Sequence, residues 1–206
     1  MTLHSYDPRD GHGLRHDPLA AIIGPRPIGW ISTVGADGVP NLAPYSFFNV
    51  FNYKPPIVAF SSVGHKDTVR NVQASGEFVY CLATRDLAEA VNASSAEVGP
   101  EVDEFRLVGL TPRASTVVRA PAVAESPVAM ECKVLEVRPL QDLQGTTLDT
   151  WMVLGQVVQV HIDRRVLSGP DGTYEITAAR PILRAGGPAD YFEITEAARF
   201  RMFRPR

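Results

Sequence analysis

Residues 151–162 read Trp-Met-Val-Leu-Gly-Gln-Val-Val-Gln-Val-His-Ile. A near-continuous apolar run of this length, rich in β-branched side chains, reads as a strand covered on both faces at the centre of a sheet. Upstream, Val128, Met130, Cys132 and Val134 alternate with Ala129, Glu131 and Lys133. That is a period of two with one wetter face. Residues 141–147 read as the loop between these two strands.

Four shorter strands precede them. Residues 28–34 place Trp30 and Val34 on one face and Ile31 on the other. Asp37-Gly38 then turns the chain into a hairpin with residues 39–45. Pro40 and Pro44 put that second arm at an edge or in a shaped loop. Residues 57–62 and 77–83 supply two more. A helix between them is expected from Asp67 or Thr68, as cap, to Ser75-Gly76, with Val69 and Val72 facing inward. A second is expected from Asp86, with Glu89 completing a capping box and Leu87, Ala90 and Val91 as its apolar side. Residues 94–126, rich in Ser, Pro and Ala, read as loop with short pieces of structure. Six strands and two helices give a mainly β fold, a closed or partly closed barrel with flanking helices.

Composition bounds the function. The chain has 206 residues and is 45% hydrophobic, enough for a real core. Its 16 glycines and 17 prolines favour frequent turns over a helical bundle. A net charge of -3 offers no electrostatic case for nucleic acid or an anionic membrane. No apolar run reaches the ~18 residues that span a bilayer, and the polar start lacks a signal peptide's apolar core. Two cysteines, Cys81 and Cys132, form neither a disulfide framework nor a zinc motif and read as buried thiols of a cytoplasmic protein. Residues 1–18 read as a flexible arm, whose His4, His12 and His16 match no metal site. Residues 19–206 read as a single domain.

Two stretches carry chemistry. Residues 61–71, SSVGHKDTVRN, end a strand in two hydroxyls, turn through a glycine and start a helix at Lys66-Asp67-Thr68. A helix N-terminus with a lysine and hydroxyl donors suits a phosphate; the alternative is a capped surface helix with a solvated lysine. Asp67 is the awkward member, since a carboxylate repels phosphate, and its natural task is to cap the helix or hold Lys66. Residues 41–49, NLAPYSFFN, could present backbone amides and an apolar wall to a planar ring; the alternative is an edge strand giving Phe47 and Phe48 to the core. His161, at the end of the long strand, either faces a cleft or is a satisfied surface residue. No GxSxG, HExxH, Walker or GxGxxG motif is present.

The run PRPIGWISTVGADGVPNLAPYSFFNVFNYKPPIVAFSS, followed by HKDTVRN, resembles the flavin reductase-like FMN-binding split-barrel family, as do VLGQVVQVHIDRRVL and RPILRAGGPADYF later in the chain. The resemblance covers roughly residues 20–195. It implies a six-stranded split barrel that forms a homodimer and binds FMN near the dimer interface. The segment Ala43, Pro44, Tyr45, Ser46 and Phe47 would lie along the isoalloxazine. Ser61 and Ser62 would follow the ribityl-phosphate chain, and Lys66, Asp67 and Thr68 the phosphate end. Tyr191 matches a position that can approach the flavin, and His161 could contact a nicotinamide nucleotide. The implied activity is an FMN-dependent oxidoreductase that takes electrons from NADH or NADPH. It would pass them to free flavin, a partner monooxygenase or another small-molecule acceptor. Alternatives are an FMN-binding electron carrier and a flavin-dependent oxygenase. Many short reductases of the family carry a GDH-type triplet where this chain has Leu148-Asp149-Thr150. FMN binding is thus implied more directly than NAD(P)H-driven flavin reduction.

Overall fold

A computed structural model describes residues 1–205; the last residue of the expected 19–206 domain lies outside them. The principal strands are β1 (Gly29–Val34), β2 (Pro40–Tyr45), β3 (Phe48–Tyr53), β4 (Pro56–Val63), β5 (Glu77–Leu82), β6 (Val128–Gln141) and β7 (Thr147–Ile162). They form one antiparallel sheet in the order β2-β1-β5-β6-β7-β4-β3. The long apolar run is central, with β7 paired to β6 on one side and β4 on the other.

The seventh strand, β3, corrects the expected count of six. Nearly all of its residues are exposed, because it ends the sheet and is covered on neither face. The alternation that betrays a half-buried strand is therefore missing from Phe-Asn-Val-Phe-Asn-Tyr. The proline-containing arm β2 forms the opposite edge, where a missing N–H costs no ladder bond.

These two edges are consecutive in sequence, joined only by Ser46 and Phe47, so the sheet must curl until its ends meet. Across the seam the Tyr45 and Phe60 rings lie 4.8 Å apart, and Ser61 N–H donates to the Phe47 carbonyl at 2.9 Å. The barrel interior holds Ile31, Tyr45, Phe60, Phe78, Cys132 and Val153. An outer layer packs Trp30, Leu42, Cys81, Val91 and Phe105 beneath helices and the 110–123 segment. Successive residues such as Trp30 and Ile31 thus enter different cores. Burying each large side chain contributes about 1.5–3 kcal/mol.

Helix α1 (Asp67–Ser75) buries Val69 and Val72 and stops at Gly76, whose φ of 69° a glycine adopts without strain. Neither Asp67 nor Thr68 caps it. Lys66 occupies the cap position, and no side-chain cap hydrogen bond is made there. The second helix, α2 (Ala88–Ala93), follows a 3-10 turn at Arg85–Leu87, and the expected capping box does not form. Asp86 instead meets Arg180 at 2.7 Å, a partner remote in sequence. Residues 94–126 hold a short helix (Glu104–Leu107) and a small ribbon pairing Pro112–Arg113 with Ala122–Val123. Residues 1–18 carry no strand or helix and are mostly exposed. No helix among the described residues is long and apolar enough to cross a membrane.

Candidate functional site

The segment from Ala43 to Phe47 lies between two cavities. The first is a cleft of about 350 Å³, walled by Asn41, Ala43, Pro44 and Tyr45 of β2, by Lys66, Asp67 and Thr68, and by Ser94–Val98 and Glu104 opposite. The second, of about 360 Å³, is lined by Ser46, Phe47, Phe48, Phe60, Ser61 and Met152 among others.

The floor of the cleft is a buried polar network. Asn41 Nδ2 donates to Thr68 Oγ1 at 2.9 Å and to Thr33 Oγ1 at 3.2 Å, and Asn71 Nδ2 reaches Thr33 Oγ1 at 3.1 Å. Thr68 is thereby tied to β1 and β2, which fixes where the start of α1 points. The hydroxyl of Thr68 faces inward, so its backbone N–H is the group left at the uncapped helix end. Burial pushes the Tyr45 hydroxyl's pKa up, against the neighbouring hydroxyls of Thr68 and Ser62. Tyr45 is therefore a neutral, buried anchor for its segment.

The turn before α1 needs its glycine. Gly64 has a φ of 86°, a conformation that L side chains rarely adopt, and its N–H donates to the Asp149 carbonyl at 2.9 Å. Ser62 is buried and its hydroxyl donates to the Gly64 carbonyl at 3.0 Å, so it braces this turn.

The charged groups are arranged differently from the sequence expectation. Asp67 neither caps α1 nor holds Lys66, but pairs with Arg70 at 2.5 Å. Lys66 is exposed and lies 3.8 Å from Glu97 across the cleft. Glu104, buried against β2, accepts the Leu42 N–H at 3.1 Å. Burial, with the charges of Asp67 and Asp103 nearby, raises its pKa above the ordinary carboxylate value against its backbone hydrogen bonds.

The structure thus gathers Ala43, Pro44, Tyr45, Lys66, Asp67 and Thr68 into one cleft, and Ser46, Phe47 and Ser61 into its neighbour. It does not bring Tyr191, His161 or the buried Ser62 to either. Tyr191 lines a third cavity with Arg85 and Asn92, and the Arg184 guanidinium sits 5.0 Å from its ring centroid. His161 lies nine residues beyond Met152 on β7, about 30 Å at strand rise. Its Nε2 sits 2.7 Å from Glu131 Oε1. The partner of His161 is thus a buried carboxylate that the sequence did not single out. The residues missed were Asn41, Ser94, Glu97, Glu104 and Arg26. Of these, Asn41 alone lay within a stretch singled out for chemistry.

A model of the flavin reductase-like domain matches residues 24–178, which holds the first cavity and all of the second one's lining but Ile23. The chain belongs to the flavin reductase-like domain family. An uncharacterised Aquifex aeolicus protein is 37% identical over 184 residues, 86% of this chain and 89% of its own. Among solved structures, nitrilotriacetate monooxygenase component B from Bacillus cereus superposes with a TM-score of 0.88. It is 29% identical over 98% of this chain and 100% of that one. The 2-nitrobenzoate 2-nitroreductase NbaA of Pseudomonas fluorescens gives 0.78, with 27% identity over 91% and 88%. The flavin reductase-like barrel is thus the fold of this chain, and flavin-related redox proteins share it.

Proposed function

We propose that the chain is an FMN-dependent oxidoreductase that accepts electrons from NADH or NADPH and delivers them to free flavin, a partner oxygenase or another small acceptor. The observation that carries this reading is the start of α1. It lacks a side-chain cap, carries Lys66 beside it and opens onto a cleft of about 350 Å³. Unpaired N–H groups and the helix dipole favour an anion there.

The residues present fit FMN. Lys66 and the first N–H groups of α1 would hold the phosphate. Ser61 would follow the sugar chain, and the Ala43–Phe47 segment would border the ring. Glu97 does not obstruct this, because its pair with Lys66 is exposed and worth little. Glu104 is engaged toward β2, where its Oε2 accepts the Leu42 N–H. When bound, the flavin supplies the electron chemistry. The chain's own residues bind and orient it. Tyr45, locked between Phe60 and the Thr68–Ser62 hydroxyls, holds the ring-side segment rigid. Phe47, half exposed, is free to cover an apolar surface.

The Bacillus cereus neighbour is a monooxygenase component and the Pseudomonas neighbour a nitroreductase, which supports delivery to a partner or to an organic acceptor. The edge strand β3 leaves Val50, Phe51 and Tyr53 exposed, as expected of a face that meets a second copy. Sedimentation at two protein concentrations tests the homodimer.

The function is tested by loading the protein with FMN and mixing it anaerobically with NADH and with NADPH. Rapid bleaching of the bound flavin is the expected result. An unchanged spectrum with both would leave an electron carrier reduced by a protein partner.

A further inference from the structure

Residues 199–206 read Arg-Phe-Arg-Met-Phe-Arg-Pro-Arg and lie beyond the 24–178 span of the flavin reductase-like domain. They hold four arginines and no acid. The whole chain carries -3 and these residues +4, so residues 1–198 carry -7. Phe200, Met202 and Phe203 are 79%, 84% and 86% exposed, so their own protomer does not cover them. Large apolar side chains clustered in water mark a contact surface. Arg201 and Arg204 have no carboxylate partner among the described residues.

This segment leaves the body beside an apolar cavity of about 360 Å³ that the flavin reading does not use. Ile176, Leu183, Phe192, Ile194 and Ala198 make much of its wall, and its charged lining groups are Glu193 and Arg199. Arg199 pairs with Glu175 at 3.6 Å and with Glu196 at 3.2 Å, which holds the root of the segment at the cavity. A cavity of about 150 Å³ takes a benzene. This one therefore has room for a phenylalanine ring and a neighbouring side chain.

We propose that residues 200–203 of one copy fill this cavity in a second copy, and that the exchange is mutual. The segment starts beside the cavity, so a two-fold axis close to Ala198 lays each segment over the other copy's cavity, with the same contacts made twice. The phenylalanines and methionine match the apolar lining, and the arginines meet a body of net charge -7. An anionic membrane would attract the arginines but repel that body, so a second copy is the better occupant. The exchange presupposes the homodimer of the proposed function and none of its flavin chemistry.

Sedimentation equilibrium of the full chain, with and without FMN, is the test. Replacing Phe200 and Phe203 together by Ser should weaken the dimer at least about tenfold. Replacing Arg201 and Arg204 together by Glu should weaken it as well, and high salt should then matter less than in the wild type. On the cavity side, Ile194→Glu should weaken the dimer too, and adding it to the phenylalanine pair should cost little more, since both remove one contact. Thermal unfolding checks that each variant folds; the phenylalanine pair is exposed and decides the matter even where Ile194→Glu does not fold. A dimer unchanged by the phenylalanine pair would overturn the exchange and leave the homodimer to rest on β3. A chain monomeric at every concentration would overturn both. A melting temperature that depends on the segment but not on protein concentration would place it in its own cavity and overturn the exchange. So would segment-dependent binding to phosphatidylglycerol vesicles with an unchanged dimer. FMN uptake, read separately, decides the flavin reading alone.

Discussion

His161 Nε2 lies 2.7 Å from Glu131 Oε1, as a diagonal pair across the central strands β7 and β6. Glu131 is fully buried, and its other partners all come from one loop. The Thr116 N–H bonds it at 2.8 Å, the Thr116 hydroxyl at 2.9 Å, the Val117 N–H at 2.6 Å and the Val118 N–H at 3.1 Å. The carboxylate therefore fastens residues 116–118 to the barrel. His161 supplies one hydrogen bond to that fastening.

Replacing His161 by Ala should lower stability by about 1 kcal/mol and leave FMN affinity unchanged. Glu131→Gln should cost about 2–3 kcal/mol, because several donors lose a charged acceptor. Urea unfolding measures both, and a flavin titration of each variant checks the site. A His161→Ala protein of normal stability that had lost turnover would return this residue to catalysis.

Burial alone would push the Glu131 carboxyl up, but the bonds from Thr116, His161 and Val117 outweigh it and bring the pKa down to about 2, from an ordinary 4.5. The folded chain holds this proton less readily than the unfolded one. The corresponding stability is fully present above about pH 4.5 and is lost as pH falls through about 2. The difference is roughly 3 kcal/mol. Glu77, held by Lys133 at 2.7 Å, is lowered as well and acts in the same sense. Acid unfolding curves of the wild type and Glu131→Gln should therefore converge as pH drops.

Lys66→Ala should weaken FMN at least about tenfold and riboflavin hardly at all, since a charge-assisted contact to phosphate is the only one removed. Fluorescence quenching of each flavin on titration measures both affinities. Equal losses would place Lys66 away from the phosphate.

Gly155 sits in β7 with the Phe78 ring directly over it, and a Cβ there would overlap Phe78 and lie 3.3 Å from Cys132 Cβ. Gly155→Ala should destabilise the barrel by about 1–3 kcal/mol through overpacking. Thermal unfolding reads the change. A paired Phe78→Leu substitution should recover part of it.

Much of the barrel was legible because strands and helices announce themselves locally. β7 declared its central position through an unbroken apolar run, and α1 its end through Ser75-Gly76; at its start Lys66, and not the expected Asp67 or Thr68, holds the cap position. One side of the polar cleft was legible for the same reason, as Ala43–Tyr45 and Lys66–Thr68 are contiguous stretches of unusual composition; the opposite wall, Ser94–Val98 and Glu104, was not. Strand β3 was not, since an edge covered on neither face has no periodicity to read.

The sequence by itself determined the mainly β class, the succession of most of its strands along the chain and the two segments on one side of the cleft. Tertiary structure alone decided what the charges do. Asp67 turned to Arg70, Asp86 to Arg180, Lys66 to Glu97 and His161 to Glu131. Only the first of these pairs is local. A charged side chain takes whichever partner the fold brings within a few ångströms. Backbone preference and hydrophobic periodicity are properties of neighbours along the chain; electrostatic pairing is a property of neighbours in space.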